Sequence, residues 1–427
     1  MAFEYPLFEL KYKNMSRIKL QKKIIENNFK HTSQLIIETS ENCNLACLYC
    51  GLRDNYIQQD SHDRNKQMDW HTVKLLLDYY IPLWHAELSG IKRFFTIGFY
   101  GGEPLLNFEL IDKVYQYVEK NKPVDFSVRY DVTTNGMLLD KYIDYFVLRN
   151  FTLAVSLDGD RKANSFRVDK NGLESFDRLE HILIDIKKRY PNYFADNISF
   201  QAVMNSQNSV IDVFAYFKSV FDKRPMPLEI SLARLSAKSN IHSMYKKVED
   251  DLRISMQTRK KECEKFTLRN PDMNYLEFYL RTFTPYYIDN YSFFYSNTDN
   301  VSDRFPTSTC LPFTHKVFLT VRGLILPCER VGFDKPLGRI VDGKIDIDFQ
   351  EIADFYNQIF QKYQELCKNC IRNIACKNCF YNINYGANEN LCPDYESILS
   401  KDKYVKRAMD ILTQNPEAYL LLVNSID

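Results

Sequence analysis

The sequence lacks several features that would assign it to common functional classes. It has no N-terminal apolar run of signal-peptide length, and no stretch approaches the roughly 18–20 apolar residues of a membrane span. Its charges balance, with 56 Lys and Arg against 55 Asp and Glu, so net charge does not favour nucleic acid or an anionic membrane. It has no internal repeat, low-complexity tract or Gly/Ser linker. We therefore predict a cytoplasmic globular protein that binds neither nucleic acid nor membrane.

The eleven cysteines are the most informative residues that the sequence does contain. Disulfides rarely persist in a reducing compartment, and an odd number excludes complete pairing within one chain. Cys43, Cys47 and Cys50 form a C-x3-C-x2-C group, and seven further cysteines lie within residues 310–392. Thiolates are soft ligands that suit iron–sulfur clusters or zinc. At this point the cysteines could bind either an iron–sulfur cluster or zinc.

Short apolar segments alternate with longer amphipathic ones between residues 34 and 235. The predicted strands are Leu35–Thr39, Phe95–Tyr100, Ser127–Thr133, Leu153–Leu157, Ser199–Met204 and Leu228–Ala233. The predicted helices between them are His71–Leu88, Leu110–Lys120, Phe176–Arg189 and Val210–Phe221. This repetition predicts an α/β fold of parallel βα units. Six units are too few for a complete eight-stranded barrel, so we expect an open sheet or a partial (β/α)6 TIM-like barrel.

The remainder of the chain changes character. Residues 236–309 are charged and then very aromatic, which predicts a helical linker packed on the core or, alternatively, a lid over a substrate cleft. Residues 310–400 hold the later cysteines and show little long periodicity, which is typical of a metal-organised domain. Residues 401–427 predict a closing helix.

Three further motifs follow the cysteine triad in chain order, each at the end of a predicted strand. They are YGGEPLL at 100–106, TTNGM at 133–137 and VSLDG at 155–159. Ligands of α/β proteins bind at the carboxyl ends of the strands. With the C-x3-C-x2-C spacing and Tyr49 before the third cysteine, this order resembles the radical S-adenosylmethionine (SAM) superfamily over roughly residues 34–235.

The resemblance implies a cofactor site and a reaction. A 4Fe–4S cluster on Cys43, Cys47 and Cys50 leaves one iron open, and relatives bind the methionyl group of SAM there. After reduction by an external donor such as flavodoxin or ferredoxin, SAM is cleaved to a 5′-deoxyadenosyl radical that removes hydrogen from carbon. The implied cofactor contacts are Tyr49, Gly101, Gly102, Glu103, Thr134, Asn135, Ser156, Asp158 and Arg178. Arg178 is alternatively a solvated helix arginine.

The later cysteines resemble the SPASM domain, a two-cluster extension of radical SAM enzymes that modify peptides and proteins. The resemblance implies two auxiliary 4Fe–4S clusters, hence three in all. The distal cluster would be bound by Cys367, Cys370, Cys376 and Cys392, and the nearer one by Cys310, Cys328 and Cys379. The usual C-x3-C before the last gap is C-x2-C here. Two CxxC pairs are also typical of zinc knuckles, which is the alternative.

Two residues near this array have open roles. The fourth site of the nearer cluster is empty, filled by another side chain, or taken by Cys263, which is otherwise a structural thiol. Glu329 follows Cys328 at the position where sulfatase-maturating relatives carry an Asp that acts as a base. The resemblance therefore makes Glu329 a candidate catalytic base, and pairing with Arg330 or Arg339 is the alternative.

These features lead to a peptide maturase as the predicted function. Such an enzyme abstracts hydrogen from a ribosomally synthesised precursor peptide and installs a thioether or carbon–carbon crosslink. Residues 1–33 are too few for the winged-helix domain that recognises leader peptides in relatives, so we expect a separate leader-recognition protein, recognition by this segment, or no leader. The enzymatic alternative is an anaerobic sulfatase-maturating enzyme that makes formylglycine. The alternative of another class is a non-catalytic iron–sulfur or zinc module.

Overall fold

The protein is described from a computed structural model. The structure describes residues 19–50, 65–86, 94–205, 207–228, 276, 309–333, 335–371, 376, 378–383, 392 and 395–416. By its internal contacts the chain divides into two compact units, which are taken in turn. One contains residues 28–266 and 313–348, and the other contains residues 1–27, 267–312 and 349–427. No described helix has both the length and the apolar character needed to cross a membrane.

The first unit is built on one ten-stranded sheet. Its strands are β1 Gln34–Ser40, β2 Phe94–Gly101, β3 Ser127–Thr134, β4 Thr152–Ser156, β5 Ile198–Val203, β6 Met226–Leu228, β7 Val317–Leu319, β8 Leu324–Leu326, β9 Gly338–Val341 and β10 Lys344–Asp346. The spatial order is β10-β9-β8-β7-β1-β2-β3-β4-β5-β6. Strands β1 to β6 pair in parallel with their chain neighbours. The predicted α/β fold with a parallel sheet is confirmed; of the predicted sixth strand, Leu228–Ala233, only Leu228 lies within the described residues, where it ends β6.

Helices connect the parallel strands because apolar residues recur along one face of each segment. The described helices are α1 Lys22–Lys30, α2 Trp70–Ala86, α3 Phe108–Asn121, α4 Leu139–Leu148, α5 Phe176–Arg189, α6 Pro191–Asn197, α7 Val210–Phe221, α8 Phe349–Cys367, α9 Phe380–Ile383 and α10 Lys401–Gln414. In α3 the apolar face is fully buried, whereas Lys113 and Glu109 pair on the exposed face. The core between helices and sheet holds Ile97, Phe99 and Val132, none more than 1% exposed.

The sheet is longer than the sequence analysis predicted, because residues 313–348 belong to the first unit. Strand β7 pairs in parallel with β1, with Ile36 opposite Phe318. Strands β8 to β10 then add antiparallel neighbours. The β7–β8 turn needs Gly323, whose φ is +76° and where a Cβ would lie 2.8 Å from the Ile340 carbonyl oxygen. The range 310–400, predicted as one domain, is thus divided between the two units.

The second unit is organised around α8 and the cysteines that follow it. Tyr356 of α8 is fully buried and stacks edge-on against Phe380 of α9 at 5.1 Å between ring centroids. Leu20 donates its backbone N–H to Asn357 Oδ1 at 2.7 Å. The predicted closing helix over 401–427 is observed as α10, which covers Lys401–Gln414. The predicted linker or lid over 236–309 lies almost wholly outside the described residues.

Candidate functional site

The cysteine triad lies on the loop that leaves the carboxyl end of β1. This loop pairs with residues 166–169, since Ala46 donates its N–H to Val168 O at 2.6 Å and Leu48 donates to Phe166 O at 3.0 Å. Leu45 forms an isolated bridge with Asp169. The segment after β4 therefore holds the cysteine loop in place at the carboxyl end of β1.

Gly101 and Gly102 pack directly against the backbone that leads into the triad. Gly102 donates its N–H to Ser40 O at 2.7 Å, and Glu103 donates to Asn42 O at 2.9 Å. A Cβ at Gly102 would lie 2.3 Å from Asn42 O, and one at Gly101 would lie 2.4 Å from Ser40 O. These contacts allow no side chain, so glycine is required for the two turns to approach each other.

Glu103 is a buried carboxylate at the centre of the strand ends. It is 0% exposed. Its Oε1 accepts from Thr134 Oγ1 at 2.7 Å and from the Leu105 N–H at 3.1 Å, and its Oε2 accepts from the Asn135 N–H at 2.8 Å. Burial raises the pKa of Glu103 to about 7 despite these three donors. The carboxylate is therefore partly protonated near neutral pH, and a cationic group bound beside it would favour its ionised form.

Asn135 connects the third strand end to the first cysteine. Its Nδ2 donates to Asn44 Oδ1 at 2.7 Å and lies 3.5 Å from Cys43 Sγ, while the Leu45 N–H donates to the same sulfur at 3.4 Å. Burial raises the pKa of Cys43 to about 12 and that of Cys47 to about 11. These thiols need a metal to become thiolates at neutral pH, because a coordinating ion stabilises the deprotonated form.

Asp158 accepts hydrogen bonds from three directions at the end of β4. Its Oδ2 accepts from the Tyr49 hydroxyl, and its Oδ1 accepts from Arg167 Nη2 and from the Val203 N–H, each at 2.9 Å. Asp158 is 0% exposed and Arg167 is 6% exposed. The Arg167 guanidinium lies 5.5 Å from the centre of the Tyr49 ring.

Arg167 is a buried residue of this site that the sequence analysis missed. It is a buried cation beside the triad, and its charge lowers the pKa of Cys47 against the larger effect of burial. Its Nε–H has no hydrogen-bond partner among the described residues. A buried donor without an acceptor costs free energy unless a ligand accepts its hydrogen bond. The Nε–H group therefore suits an anionic acceptor such as the carboxylate of a bound cofactor.

Two predicted cofactor contacts are placed less centrally. Ser156 ends β4 half-buried, opposite Gln201 of β5. The Arg178 side chain is 60% exposed, donates to Met137 O at 3.2 Å and pairs with Asp140 at 3.4 Å. Its role as a contact of the cofactor carboxylate stays a prediction. Arg167, by contrast, is buried near the cysteine triad.

The donor set fits an iron–sulfur cluster. Cys43 and Cys47 each interact electrostatically with Cys50, yet within the ranges that the structure describes no group of three His, Cys, Asp or Glu residues is close enough to hold a single metal ion. A 4Fe–4S cluster can bridge more widely spaced thiolates because each binds a different iron.

The later cysteines form two groups within the second unit. Cys367 interacts electrostatically with Cys376, Cys370 and Cys392, which is the set predicted for the distal cluster. The Asn378 amide donates to Cys392 Sγ at 3.3 Å.

Cys310 and Cys379 form the other group: burial raises the pKa of Cys379, and the neighbouring Cys310 adds a smaller increase. The connection between them is Thr309, whose Oγ1 accepts from the Phe380 N–H at 2.8 Å. Cys328 belongs to the other compact unit, and Cys263 lies outside the described residues.

Glu329 lies three residues beyond β8. Its carboxylate pairs with Lys316 Nζ at 3.2 Å, and its side chain is 18% exposed. The predicted alternatives for its partner were Arg330 and Arg339, so the observed partner is a third residue. Its role as a catalytic base stays a prediction.

Comparison with known proteins agrees with this site. Residues 37–200 match the Radical SAM superfamily. A cysteine-type anaerobic sulfatase-maturating enzyme from Clostridium novyi is 27% identical, and the radical SAM cyclopropyl synthase TigE from Paramaledivibacter caminithermalis is 26% identical. Each alignment covers 44% of this chain, with 48% and 37% of the two relatives. The chain thus spans about half or less of the length of the curated relatives it matches.

A solved structure agrees at the level of fold. The structure described as native anSMEcpe with bound AdoMet and Cp18Cys peptide has a TM-score of 0.56 at 19% identity, over 92% of this chain and 99% of that chain. The predicted resemblance is confirmed, and the family implies a 4Fe–4S cluster and SAM. This chain therefore carries a radical SAM domain, the catalytic unit of that enzyme superfamily, over residues 37–200.

Proposed function

We propose that this protein is a radical SAM peptide maturase that abstracts hydrogen from a ribosomally synthesised precursor peptide and installs a thioether or carbon–carbon crosslink. The observation that carries the proposal is the pairing of a SAM site with a second, separate array of thiols. Cys310 and Cys379 are joined through Thr309, and four further thiols interact around Cys367. The neighbouring structure that was solved with a bound peptide supports a peptide substrate.

The chain's own residues would hold the cofactors as follows. Cys43, Cys47 and Cys50 would bind the cluster, and Glu103 would accept the methionyl ammonium of SAM beside Gly101 and Gly102. When bound and reduced, this pair supplies a carbon-centred radical able to remove hydrogen from an unactivated carbon. Thr134, Asn135 and Ser156 line the same strand ends, where positioning and exclusion of water are the protein's contribution.

The second array would bind two auxiliary clusters, which makes three 4Fe–4S clusters in all. Cys367, Cys370, Cys376 and Cys392 would bind one, and Cys310, Cys328 and Cys379 would bind the other. A three-cysteine site leaves an iron that can bind a substrate thiolate. Glu329 would accept the substrate proton, with Lys316 holding its carboxylate in place.

Two partners follow from this proposal. The precursor peptide would be the substrate, and an external donor such as flavodoxin or ferredoxin would supply electrons. A leader peptide, where there is one, would be recognised by a separate protein or by residues 1–33.

The second candidate is a sulfatase-maturating enzyme that oxidises Cys or Ser to formylglycine. The similarity to the Clostridium novyi enzyme favours it. It differs from the crosslinking proposal in its product, because formylglycine carries an aldehyde whereas a crosslink joins two residues with the loss of two hydrogen atoms.

The test is anaerobic co-expression with small peptides encoded beside this chain and, separately, with a sulfatase peptide. Products are read by mass spectrometry, with a hydrazide reagent to trap aldehydes and iodoacetamide to count free thiols. A crosslinked peptide that resists the hydrazide supports the proposal, and an aldehyde only on the sulfatase peptide assigns the second function.

Matched variants separate the two cysteine arrays. Cys47→Ala should abolish SAM cleavage. Cys328→Ala should leave reductive SAM cleavage to deoxyadenosine in place but stop peptide modification, since only the auxiliary site is altered. If Cys328→Ala modifies peptide at the wild-type rate, the second array has no part in the reaction and the proposal is wrong.

A further inference from the structure

Asp158 was predicted as a cofactor contact, but its carboxylate is already occupied by the protein. Tyr49, Arg167 and the Val203 N–H donate to its two oxygens. Its own N–H donates to Asn164 Oδ1 at 3.2 Å, and its carbonyl accepts from Asn208 Nδ2 at 3.1 Å. With no exposed surface and both carboxylate oxygens hydrogen-bonded, this residue is placed to act on the site through its neighbours.

Arg167 is held in one position by these contacts. Its Nη2 binds Asp158, and its planar group lies over the Tyr49 ring, which follows Cys47 by two residues. The segment that carries it is itself tied to the cysteine loop by the Ala46 and Leu48 N–H groups. The guanidinium and the triad therefore keep a fixed separation.

The two charges of this pair have opposite sign, and both lie beside the cysteine loop. Arg167 stands between Phe166 and Val168, whose carbonyl groups accept from the Leu48 and Ala46 N–H groups, and Asp158 accepts from the Tyr49 hydroxyl. Both groups are shielded from solvent, with side chains 8% and 0% exposed, so water screens them little. Any negative charge that develops at the triad must respond to both.

We infer that Asp158 and Arg167 are positioning residues whose buried ion pair sets the reduction potential of the cluster bound by Cys43, Cys47 and Cys50. Reduction adds one negative charge to the cluster. Arg167 favours the reduced state, and Asp158 opposes it while fixing Arg167 in place. The inference rests on the radical SAM domain and is independent of the substrate.

Because the two residues carry opposite charges, their substitution should shift the reduction potential in opposite directions. Arg167→Gln removes the cation and should lower the potential, whereas Asp158→Asn removes the anion and should raise it. Each change should alter the equilibrium constant for one-electron reduction by about tenfold, which corresponds to about 59 mV. If the substitutions acted only by loosening the cysteine loop, the reduction potential would shift in the same direction in both variants.

The experiment is a redox titration of the reconstituted protein without SAM, in which electron paramagnetic resonance follows the reduced clusters. The signal that changes on later addition of SAM identifies the cluster of the triad. Arg161→Gln and Asp177→Asn are the controls, because this ion pair joins side chains that are 58% and 65% exposed. Both controls should titrate at the wild-type potential.

A conservative substitution keeps the test decisive if Arg167→Gln does not retain iron. Arg167→Lys preserves the charge and should titrate near wild type, and a fall in its potential would overturn the inference. An unchanged or lowered potential in Asp158→Asn would overturn it as well. If the wild-type protein has no SAM-responsive signal, the radical SAM assignment fails instead, before any variant is compared.

Discussion

Gly102→Ala is the substitution whose effect the structure specifies most sharply. The new Cβ would lie 2.3 Å from Asn42 O, 2.6 Å from Asn42 C and 2.8 Å from Glu41 O. All three atoms are backbone, so no side chain can rotate away. The Asn42 carbonyl also accepts from the Glu103 N–H at 2.9 Å, and relief of the clash breaks that bond and displaces the residue before Cys43.

The magnitude follows from the cost of overpacking. Insertion of a methyl group into a packed site costs about 1–3 kcal/mol, and contact with fixed backbone places this case near about 3 kcal/mol. At about 2–4 °C per kcal/mol for a domain of 150–250 residues, the midpoint of thermal unfolding should fall by about 6–12 °C. Because the cysteine loop moves, iron bound per chain after reconstitution should fall too.

Gly98→Ala is the matched control, since Gly98 lies on β2, the strand that leads into Gly102. The nearest atom to its new Cβ would be Ile36 Cγ1 at 3.5 Å, an ordinary contact. Its stability should stay within about 1 kcal/mol of wild type, with the sign favouring Ala because Gly is the more flexible residue in the unfolded chain. Differential scanning calorimetry and iron analysis compare the two variants. Equal midpoints and equal iron content in Gly102→Ala and Gly98→Ala would refute the reasoning.

Three further predictions concern single contacts. Since the pKa of Glu103 is about 7, SAM should bind more weakly as pH falls from about 8 to about 6 and the carboxylate is protonated; equilibrium dialysis should show this slope in wild type and none in Glu103→Gln. Thr309→Val removes the acceptor of the buried Phe380 N–H and should cost about 1–3 kcal/mol, whereas Thr309→Ser should unfold near the wild-type midpoint; equal midpoints for the two variants would contradict this. Arg322→Ala removes the pair with Glu41, whose Oε1 accepts from Arg322 Nε at 2.6 Å. Its cost by urea unfolding should be about 0.5–2 kcal/mol, and Arg322→Lys should recover part of it.

The central sheet could be predicted from the sequence because each strand is a short apolar run followed by a turn signal. The predicted Ser127–Thr133 and Phe176–Arg189 differ from the observed β3 and α5 by no more than one residue. The candidate site could also be predicted from the sequence, since glycines and polar residues directly follow these apolar runs. Glu103, Thr134 and Asn135 meet because parallel strands bring their carboxyl ends to one edge.

Arg167 could not be found in this way. It lies in an irregular segment between β4 and α5, where no periodicity separates a buried arginine from a solvated one. Arg178 lies on a helix, where its motif led to the prediction of a cofactor contact, but its side chain is exposed. The β7–β8 hairpin was missed for another reason: Val317–Leu319 and Leu324–Leu326 flank a Gly323 turn that is a strand signal, but the surrounding cysteines favoured a metal-organised reading of the same residues.

The pairing of β7 with β1 has a consequence for biosynthesis. The strand that leads into the cysteine triad gains its second neighbour only when a segment about 280 residues later has been made, since Ile36 pairs with Phe318. At about 5–20 residues per second, translation of that interval takes on the order of 15–60 s. During that time β1 has an open edge, which is a template for wrong pairing. Nascent chains of this protein should therefore depend on chaperones until the hairpin emerges from the ribosome.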